Sequence, residues 1–284
     1  MSEFLTALSE ESFMQVAVLA GLLASLGCGL IGTFVVVKRI TFIAGGIAHS
    51  VLAGMGASAY FGFDPLLGAL IAAIISALLI GWIRLSWKEQ EDTLIGALWA
   101  MGMAIGLIFI DQTPGYDSQL MSYLFGNILL VSTEDLWFMA ILDIILVGII
   151  SLFYHQFLAV IFDEEFARLR GLPVNLFYLL LLCLIAVTVV LLIHVVGLIL
   201  VIALLTLPAA IAGHYVRSLS SMIMIAILLG CVFTTSGLAL SYGPDLPSGP
   251  TIILLAGFTY VASALWTGLR AKQKAKRSLR KPAV

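Results

Sequence analysis

Charged residues are scarce in this chain: Asp, Glu, Lys and Arg make up 11% of its 284 residues, whereas hydrophobic residues make up 62%. A water-soluble domain carries about a quarter of its residues charged, so this composition excludes an ordinary soluble protein. The sequence also lacks the GxxxxGK[ST] loop that binds nucleotide phosphates, and none of its four histidines stands in an HExxH motif. We therefore expect neither ATP hydrolysis nor zinc-dependent proteolysis by this chain.

Long apolar runs take the place of charge. A helix needs roughly 20 apolar residues to cross the hydrocarbon layer of a membrane. Nine runs reach or approach that length: 13–37, 42–63, 65–83, 94–110, 136–154, 174–193, 195–213, 219–240 and 251–269. The sequence therefore predicts an all-α, polytopic membrane bundle of about nine transmembrane helices, with eight as the lower count, forming a single transmembrane domain over residues 1–269.

The basic residues predict the orientation of this bundle. If the N-terminus lies outside, all 14 Lys and Arg residues fall in cytoplasmic loops or in the tail 270–284, as the positive-inside rule requires. The C-terminus is then cytoplasmic, and its basic tail favours anionic lipid headgroups. The apolar segment Ser122–Val131 is too short to cross, so we expect it to be re-entrant or interfacial on the outer side.

The most polar stretch between the runs is FDEEFARLRGLP, residues 162–173, which predicts a short helix over about 162–172. Its acidic residues stand near the predicted start and its basic residues near the end, as the helix dipole favours. Asp163 can cap the start, and Gly171 can adopt the left-handed conformation that ends a helix. An apolar stripe is expected from Phe162, Phe166 and Leu169. The pattern alone fits either a helix that docks a soluble partner or a connector on the headgroups.

Two side chains inside the apolar runs are candidates for contact with a cation. His49 lies among small residues in the second run, and an imidazole inside a membrane indicates a functional role unless it packs against a carbonyl. Neutral imidazole suits zinc and other first-row cations. Asp143 is the one charged residue within the runs. It fits an ion path, although a neutral, hydrogen-bonded carboxyl is the simpler interpretation.

Five segments together resemble the zinc/manganese-type permease family of ABC transporters. Besides the polar stretch, they are KRITFIAGGIAHSVLAG, EDTLIGALWAMGMAIG, LMSYLFGNIL and GLILVIALLTLPAAIA, which occur in the family's order and cover nearly the whole chain. The resemblance implies that the polar stretch is a cytoplasmic coupling helix and that His49 belongs to the translocation path. The residues expected to contact an ATPase are Phe162, Asp163, Glu164, Glu165, Phe166, Arg168, Arg170 and Gly171.

The same resemblance implies a permease subunit of an ATP-driven divalent metal importer in the bacterial inner membrane. Two copies would pair with two ATPase subunits, and an extracytoplasmic binding protein would deliver the metal; no stably bound cofactor and no nucleic acid are expected. Many members carry an aspartate four residues before the histidine, where this chain has Gly45. Another helix, the second copy or water would then complete the metal's shell.

Two questions stay open at this point. The lone imidazole favours zinc as the cargo, with manganese and iron as the other candidates. A proton-coupled secondary transporter, with Asp143 and His49 as relays, is the alternative function, and it would transport without an ATPase.

Overall fold

The structure of the protein is a computed structural model that describes residues 2–86, 91–113, 124, 126, 128–198 and 201–278. All regular structure in these residues is helical, which confirms the predicted all-α class. The α-helices are α1 (Ser2–Glu10), α2 (Ser12–Lys38), α3 (Thr41–Phe61), α4 (Pro65–Ser86), α5 (Glu91–Asp111), α6 (Thr133–Leu152), α7 (Tyr154–Phe162), α8 (Glu164–Leu169), α9 (Val174–Val196), α10 (Val201–Gly213), α11 (Leu219–Tyr242) and α12 (Ser248–Ser278).

Eight of the helices are long and apolar enough to cross a membrane: α2, α3, α4, α5, α6, α9, α11 and α12. The ninth predicted span, 195–213, differs from the prediction. Residues up to Val196 continue α9, and α10 has 13 residues. At about 1.5 Å per residue α10 measures roughly 20 Å, which is less than the hydrocarbon thickness. Gly197, with a φ of 77°, ends α9 between the two helices.

The helices form two packed groups that share α9. In one group α3 packs against α4 and α5, while in the other α2 packs against α6, α10 and α11. Helix α9 contacts both α4 and α2. Close approach in the second group depends on glycine, since a Cβ on Gly32 would collide with the backbone carbonyl of Leu205. The bundle therefore relies on backbone contact between small residues, as membrane helices commonly do.

Basic residues gather at one end of the bundle, which we call the basic end. Lys38 ends α2, Arg84 lies in the last turn of α4, and both lie close to α8. The end of α10 joins them, because Ala209 and Ala212 pack with Val36 and Val37. Helix α12 continues beyond residue 269 to Ser278, so part of the predicted basic tail extends a long helix. That the basic end faces the cytoplasm stays a prediction.

The segment predicted to be re-entrant, Ser122–Val131, lies largely outside the described residues. Its described end is a single 3-10 turn, Ile128–Leu130, in which Ile128 is buried. The turn contacts α2 and leads to Ser132, whose side chain caps α6 in a capping box with Asp135.

Candidate functional site

His49 lies near the middle of α3 and is 7% exposed. Its ring stacks on the indole of Trp99 in α5, with ring centroids 4.1 Å apart and the planes 7° from parallel. The ring atom Nδ1 is buried and has no hydrogen-bond partner within the described residues. Since a buried polar atom normally has a hydrogen-bond partner, this nitrogen is available to a ligand, either through its lone pair or through an N–H group.

Gly45 lies one turn before His49 on the same face of α3, and neighbouring side chains leave little room there. A Cβ at this position would lie 3.0 Å from Cδ1 of Ile202 in α10 and 3.5 Å from Cζ3 of Trp99. The space beside Gly45 is thus filled by an isoleucine and an indole. His49 therefore presents one imidazole in an otherwise apolar setting.

Close packing holds the helix that carries His49. Gly102 and Gly106 of α5 leave no room for a Cβ, because it would meet Ser50 and the carbonyl group of Leu52 in α3. On the other side of α3, the Ser50 hydroxyl donates to the Ser76 hydroxyl of α4 over 2.7 Å. The residue next to His49 is thus fixed from two sides, which restricts movement of the imidazole relative to α4 and α5.

Asp143 occupies a different place in the bundle. It is 3% exposed, and neither carboxyl oxygen has a hydrogen-bond partner in the described part of the chain. A Cβ on Gly27 of α2 would lie 3.1 Å from Oδ1 and 3.6 Å from Cγ2 of Thr188 in α9, so Asp143 faces α2 and α9. The hydrogen bond expected for a neutral Asp143 does not appear among these residues.

The structure does not assemble a multidentate metal site from these side chains. Across the described ranges, no three His, Cys, Asp or Glu residues lie together in a way that could hold a metal ion. His155 is exposed at the start of α7, and a 2.9 Å hydrogen bond joins Nδ1 of His214, at the basic end, and the Ser263 hydroxyl. Both fit the interfacial roles that their positions indicate.

Helix α8 forms the second candidate site, and its two capping residues are the ones that the sequence predicted. Asp163 caps the helix by accepting a 2.9 Å hydrogen bond from the Phe166 amide. Gly171 has a φ of 77°, and its amide donates to the Arg168 carbonyl over 2.9 Å. The helix spans Glu164–Leu169, which is shorter than the predicted 162–172. Phe162 is the last residue of α7, because the extended backbone of Asp163 separates the two helices.

The two faces of α8 make different contacts. Glu164 forms an ion pair with Lys38 at the end of α2, and Arg168 donates to Oδ1 of Asn175 in α9 over 3.0 Å. The opposite face exposes large apolar side chains together with an acidic one. These are Phe166, Leu169 and Glu165, and Phe162 at the end of α7 is exposed as well. Two of the charges predicted to meet a partner are therefore held within this chain.

The charge of Glu164 depends on its neighbours. Burial by itself would raise the pKa of this carboxyl, but the hydrogen bond and charge of Lys38, together with Arg84 and Arg168, bring the pKa below its usual value. The ionised form is thus stabilised in the folded protein, which keeps the link between α8 and α2 intact at neutral pH.

Trp99 and Lys38 are site residues that the sequence reasoning missed. Tryptophan normally concentrates at the membrane–water interface, so an indole at the middle of α5 was a usable signal for Trp99. Lys38 offered no comparable signal, because its partner Glu164 lies 126 residues away in the sequence.

A bundle of membrane helices with a buried histidine in one helix and a short polar helix at the basic end fits a membrane transport subunit. The chain belongs to the ABC 3 transport family, whose model matches residues 10–267. The permease resemblance in the sequence is thereby confirmed, and the protein is a multi-pass membrane protein.

Two relatives and one solved structure illustrate the match. An uncharacterized membrane protein of Synechocystis is 49% identical over 263 residues, covering 93% of this chain and 94% of that protein. The manganese transport system membrane protein MntC of Halalkalibacterium halodurans is 32% identical over 286 residues, covering 97% and 98%. The structure of PsaBC from Streptococcus pneumoniae in complex with Fab matches with a TM-score of 0.85 and 30% identity, over 92% of this chain and 94% of that chain.

Proposed function

We propose that this chain is the membrane subunit of an ATP-driven importer of a divalent metal cation, and that the cation passes His49. The observation that carries this proposal is the buried Nδ1 of His49, which has no hydrogen-bond partner in the described part of this ABC 3 family protein. Membrane-embedded imidazoles commonly mark ion pathways, because an unsatisfied polar group there is costly.

ATP hydrolysis belongs to another chain in this proposal. The sequence contains no P-loop, so the energy must come from a separate ATPase subunit at the basic end, taken as cytoplasmic. The exposed apolar face of α8 supports docking there, since Phe166 and Leu169 are 48% and 88% exposed. A second copy of this chain, an external metal-binding protein and the bacterial inner membrane complete the proposed assembly.

Manganese is the metal that we propose first. A relative that covers almost the whole chain carries manganese transport in its name, whereas the preference for zinc rested on the imidazole alone. Manganese favours oxygen ligands, including carbonyl groups and water. With Gly45 in place of an acidic residue, water and the second copy would supply most of the ligands.

Within the path, the residues of this chain would hold the cation briefly. A neutral imidazole offers one lone pair, and the stack on Trp99 fixes the plane of the ring. A single protein ligand in an apolar setting binds a cation weakly, which suits passage better than storage. Closure of the ATPases would move α8, and α8 is tied to α2 through Lys38 and Glu164.

The test is metal-stimulated ATPase activity of the reconstituted complex, measured with manganese and with zinc. His49→Ala should reduce stimulation by the transported metal at least about tenfold, the lower range for disturbing a metal's surroundings. His155→Ala, an exposed histidine outside the path, is the matched control and should leave stimulation unchanged. Normal coupling and transport by His49→Ala would refute the path.

Proteoliposomes that contain this chain alone separate the proposal from the proton-coupled alternative. We expect no metal uptake in them, with or without a pH gradient, until the ATPase is added. Uptake driven by a pH gradient in the absence of any ATPase would favour the secondary transporter instead.

A further inference from the structure

Helix α10 carries a single polar side chain, that of Thr206, in the sequence VIALLTLPAAIAG. The Thr206 hydroxyl is partly buried and donates to the carbonyl oxygen of Ile202, one turn earlier, over 2.7 Å. The hydroxyl proton is thus satisfied within the helix itself. The hydroxyl oxygen keeps lone pairs that can accept a hydrogen bond or coordinate a cation. Among the described residues, this oxygen has no other hydrogen-bond partner.

Ile202 places this face of α10 beside the helix that carries His49. Helices α10 and α3 are in contact, and the isoleucine Cδ1 lies 3.0 Å from the position that a Cβ on Gly45 would take. Residues four apart lie on the same face of a helix. Thr206 therefore follows Ile202 along the side of α10 that meets α3, whereas Leu205 lies on the side that meets α2.

The directions of the two helices give the order of these residues along the bundle. Helix α3 starts at the basic end, and α10 ends there, because its last turns pack with the end of α2. His49 lies one turn farther from the basic end than Gly45, whereas Thr206 lies one turn nearer to it than Ile202. Each of these steps measures about 6 Å, at 1.5 Å per residue. A cation that leaves His49 toward the basic end would therefore pass the level of Thr206.

Other side-chain oxygens are scarce along this route. In α3 the residues between Thr41 and Ser50 carry none, and Ser50 bonds across to α4. In α5 the residues between Thr93 and Asp111 carry none either. Among the side chains of α3, α5 and α10, the Thr206 hydroxyl is therefore the oxygen best placed to follow the imidazole.

A proline close to Thr206 interrupts the hydrogen bonding of α10. Pro208 has no N–H group, so the carbonyl of Leu204 lacks the donor that a helix normally supplies four residues later. The freed carbonyl lies in the same turn as the Thr206 hydroxyl. Membrane helices with such interruptions often line transport routes, because the unpaired backbone groups need a polar surrounding.

We propose that Thr206 is a second contact for the cation, and that its hydroxyl oxygen receives the metal after the His49 imidazole. The assignment rests on the proposed function, since it adds a residue to the same path. One neutral oxygen binds a cation weakly, as one imidazole does, so neither side chain would retain the metal. An oxygen ligand at this point also favours manganese over softer cations.

ATPase stimulation of the reconstituted complex by manganese and by zinc tests this contact. Thr206→Val keeps the shape of the side chain but removes the oxygen, so the manganese concentration for half-maximal stimulation should rise about tenfold. Thr206→Ser keeps the oxygen and should respond as the wild-type protein does. Thr206→Cys replaces oxygen by sulfur and should raise stimulation by zinc relative to manganese. Thr235→Val, which loses the same kind of bond on α11, to the Cys231 carbonyl, should have no effect.

A thermal melt of each variant verifies folding. An unchanged manganese response in folded Thr206→Val, together with a reduced response in His49→Ala, would overturn this contact and leave the proposed function in place. A normal response in His49→Ala would overturn both. Equal losses in Thr206→Val and Thr206→Ser, or a loss in Thr235→Val, would indicate helix packing instead of an oxygen ligand. An unchanged ratio of zinc to manganese stimulation in Thr206→Cys would show that the side chain does not touch the cation.

Discussion

His49 and Gly45 share one face of α3, but His49 alone offers a metal ligand. Ile202 and the Trp99 indole fill the space beside Gly45, so this position offers apolar contacts rather than an open site. The proposed path past His49 would therefore have lower affinity for a cation at this level of the membrane than a path with paired ligands. Release toward the far side would be correspondingly easier.

Placing a carboxylate at position 45 tests this interpretation directly. Gly45→Asp alone should destabilise the protein by about 1–3 kcal/mol through overpacking against Ile202. Combined with Ile202→Ala, which removes the isoleucine Cδ1 beside position 45, the variant should fold. It should also reach half-maximal metal stimulation at a concentration at least about tenfold lower, since one more ligand is worth 1.4 kcal/mol or more. The Ile202→Ala single variant is the control, and an unchanged metal response in the double variant would contradict the prediction.

For Asp143 we expect that a substitution has little effect. Its carboxyl oxygens have no hydrogen-bond partner among the described residues, and a charged carboxylate without a partner is costly inside a membrane, so we expect the neutral form. Asp143→Asn keeps the shape of the side chain and, like the neutral carboxyl, carries no charge. The variant should therefore retain its melting temperature and its metal-stimulated ATPase activity. A selective loss of stimulation, with folding intact, would instead make Asp143 a cation contact.

The residue contacts show where sequence reasoning reaches its limit. His49 could be predicted because an imidazole in an apolar run is conspicuous by itself. The stack on Trp99 and the contact of Ile202 with position 45 could not, because each joins helices that are distant in the sequence and depends on how those helices rotate. The pairing of Lys38 with Glu164 is hidden for the same reason.

At the scale of the element, α8 divides its surface between two tasks. Glu164 and Arg168 attach it to α2 and α9, and Ala167 of the same helix is fully buried. Phe166 and Leu169 remain exposed on the other side together with Glu165. Its caps were predictable because Asp163 and Gly171 act within a few residues of the helix. Its length was not, because the extended backbone at Asp163 breaks the run after Phe162.

The exposed face of α8 should carry the affinity for the ATPase. Phe166→Ala and Leu169→Ala should each weaken association with the ATPase about fivefold to thirtyfold, which corresponds to 1–2 kcal/mol for truncation of an apolar anchor. Phe63→Ala, an exposed phenylalanine at the opposite end, is the matched control. Co-purification or fluorescence titration measures the effect. Wild-type affinity in both α8 variants would make the helix a connector.

The attachment of α8 should depend on pH. Because the folded protein lowers the pKa of Glu164, its ion pair contributes stability above the unfolded pKa of about 4.3 and loses it as pH falls through the folded value. The wild-type protein should therefore have a higher melting temperature than Glu164→Gln at pH 7. The difference between the two melting temperatures should shrink as pH falls below about 4. The exposed Glu165→Gln is the control. A difference in melting temperature that persists at low pH would contradict the stabilising role of this ion pair.

At the scale of the whole molecule, the short helix α10 determines the topology. Composition predicted the long helices well, since eight of them match apolar runs. It could not show that α9 uses residues up to Val196 and leaves 13 residues to α10. That division depends on the reversal at Gly197 and on packing against α2 and α11. If all Lys and Arg residues are to lie on the same side of the membrane, α10 must complete a crossing.

Accessibility to a membrane-impermeant maleimide tests this topology. Cysteines introduced at Glu165 and Ser218 should react only after the cells are permeabilised, because both flank the α9–α10 pair at the basic end. A cysteine at the exposed Asp245, beyond the far end of α11, should react in intact cells. The native cysteines are replaced by alanine in all variants. If Glu165 and Ser218 report opposite sides, α10 does not cross.

Helix α2 extends far from the ion pair at its end. Its 27 residues form a rod of roughly 40 Å, at 1.5 Å per residue. Lys38 is the last residue of that rod, and the helix touches Leu205 through Gly32 near the same end. Farther along the same rod, Gly21 packs against Thr234 of α11. A displacement of α8 that moved Lys38 would therefore be carried along α2 to its contacts with α11.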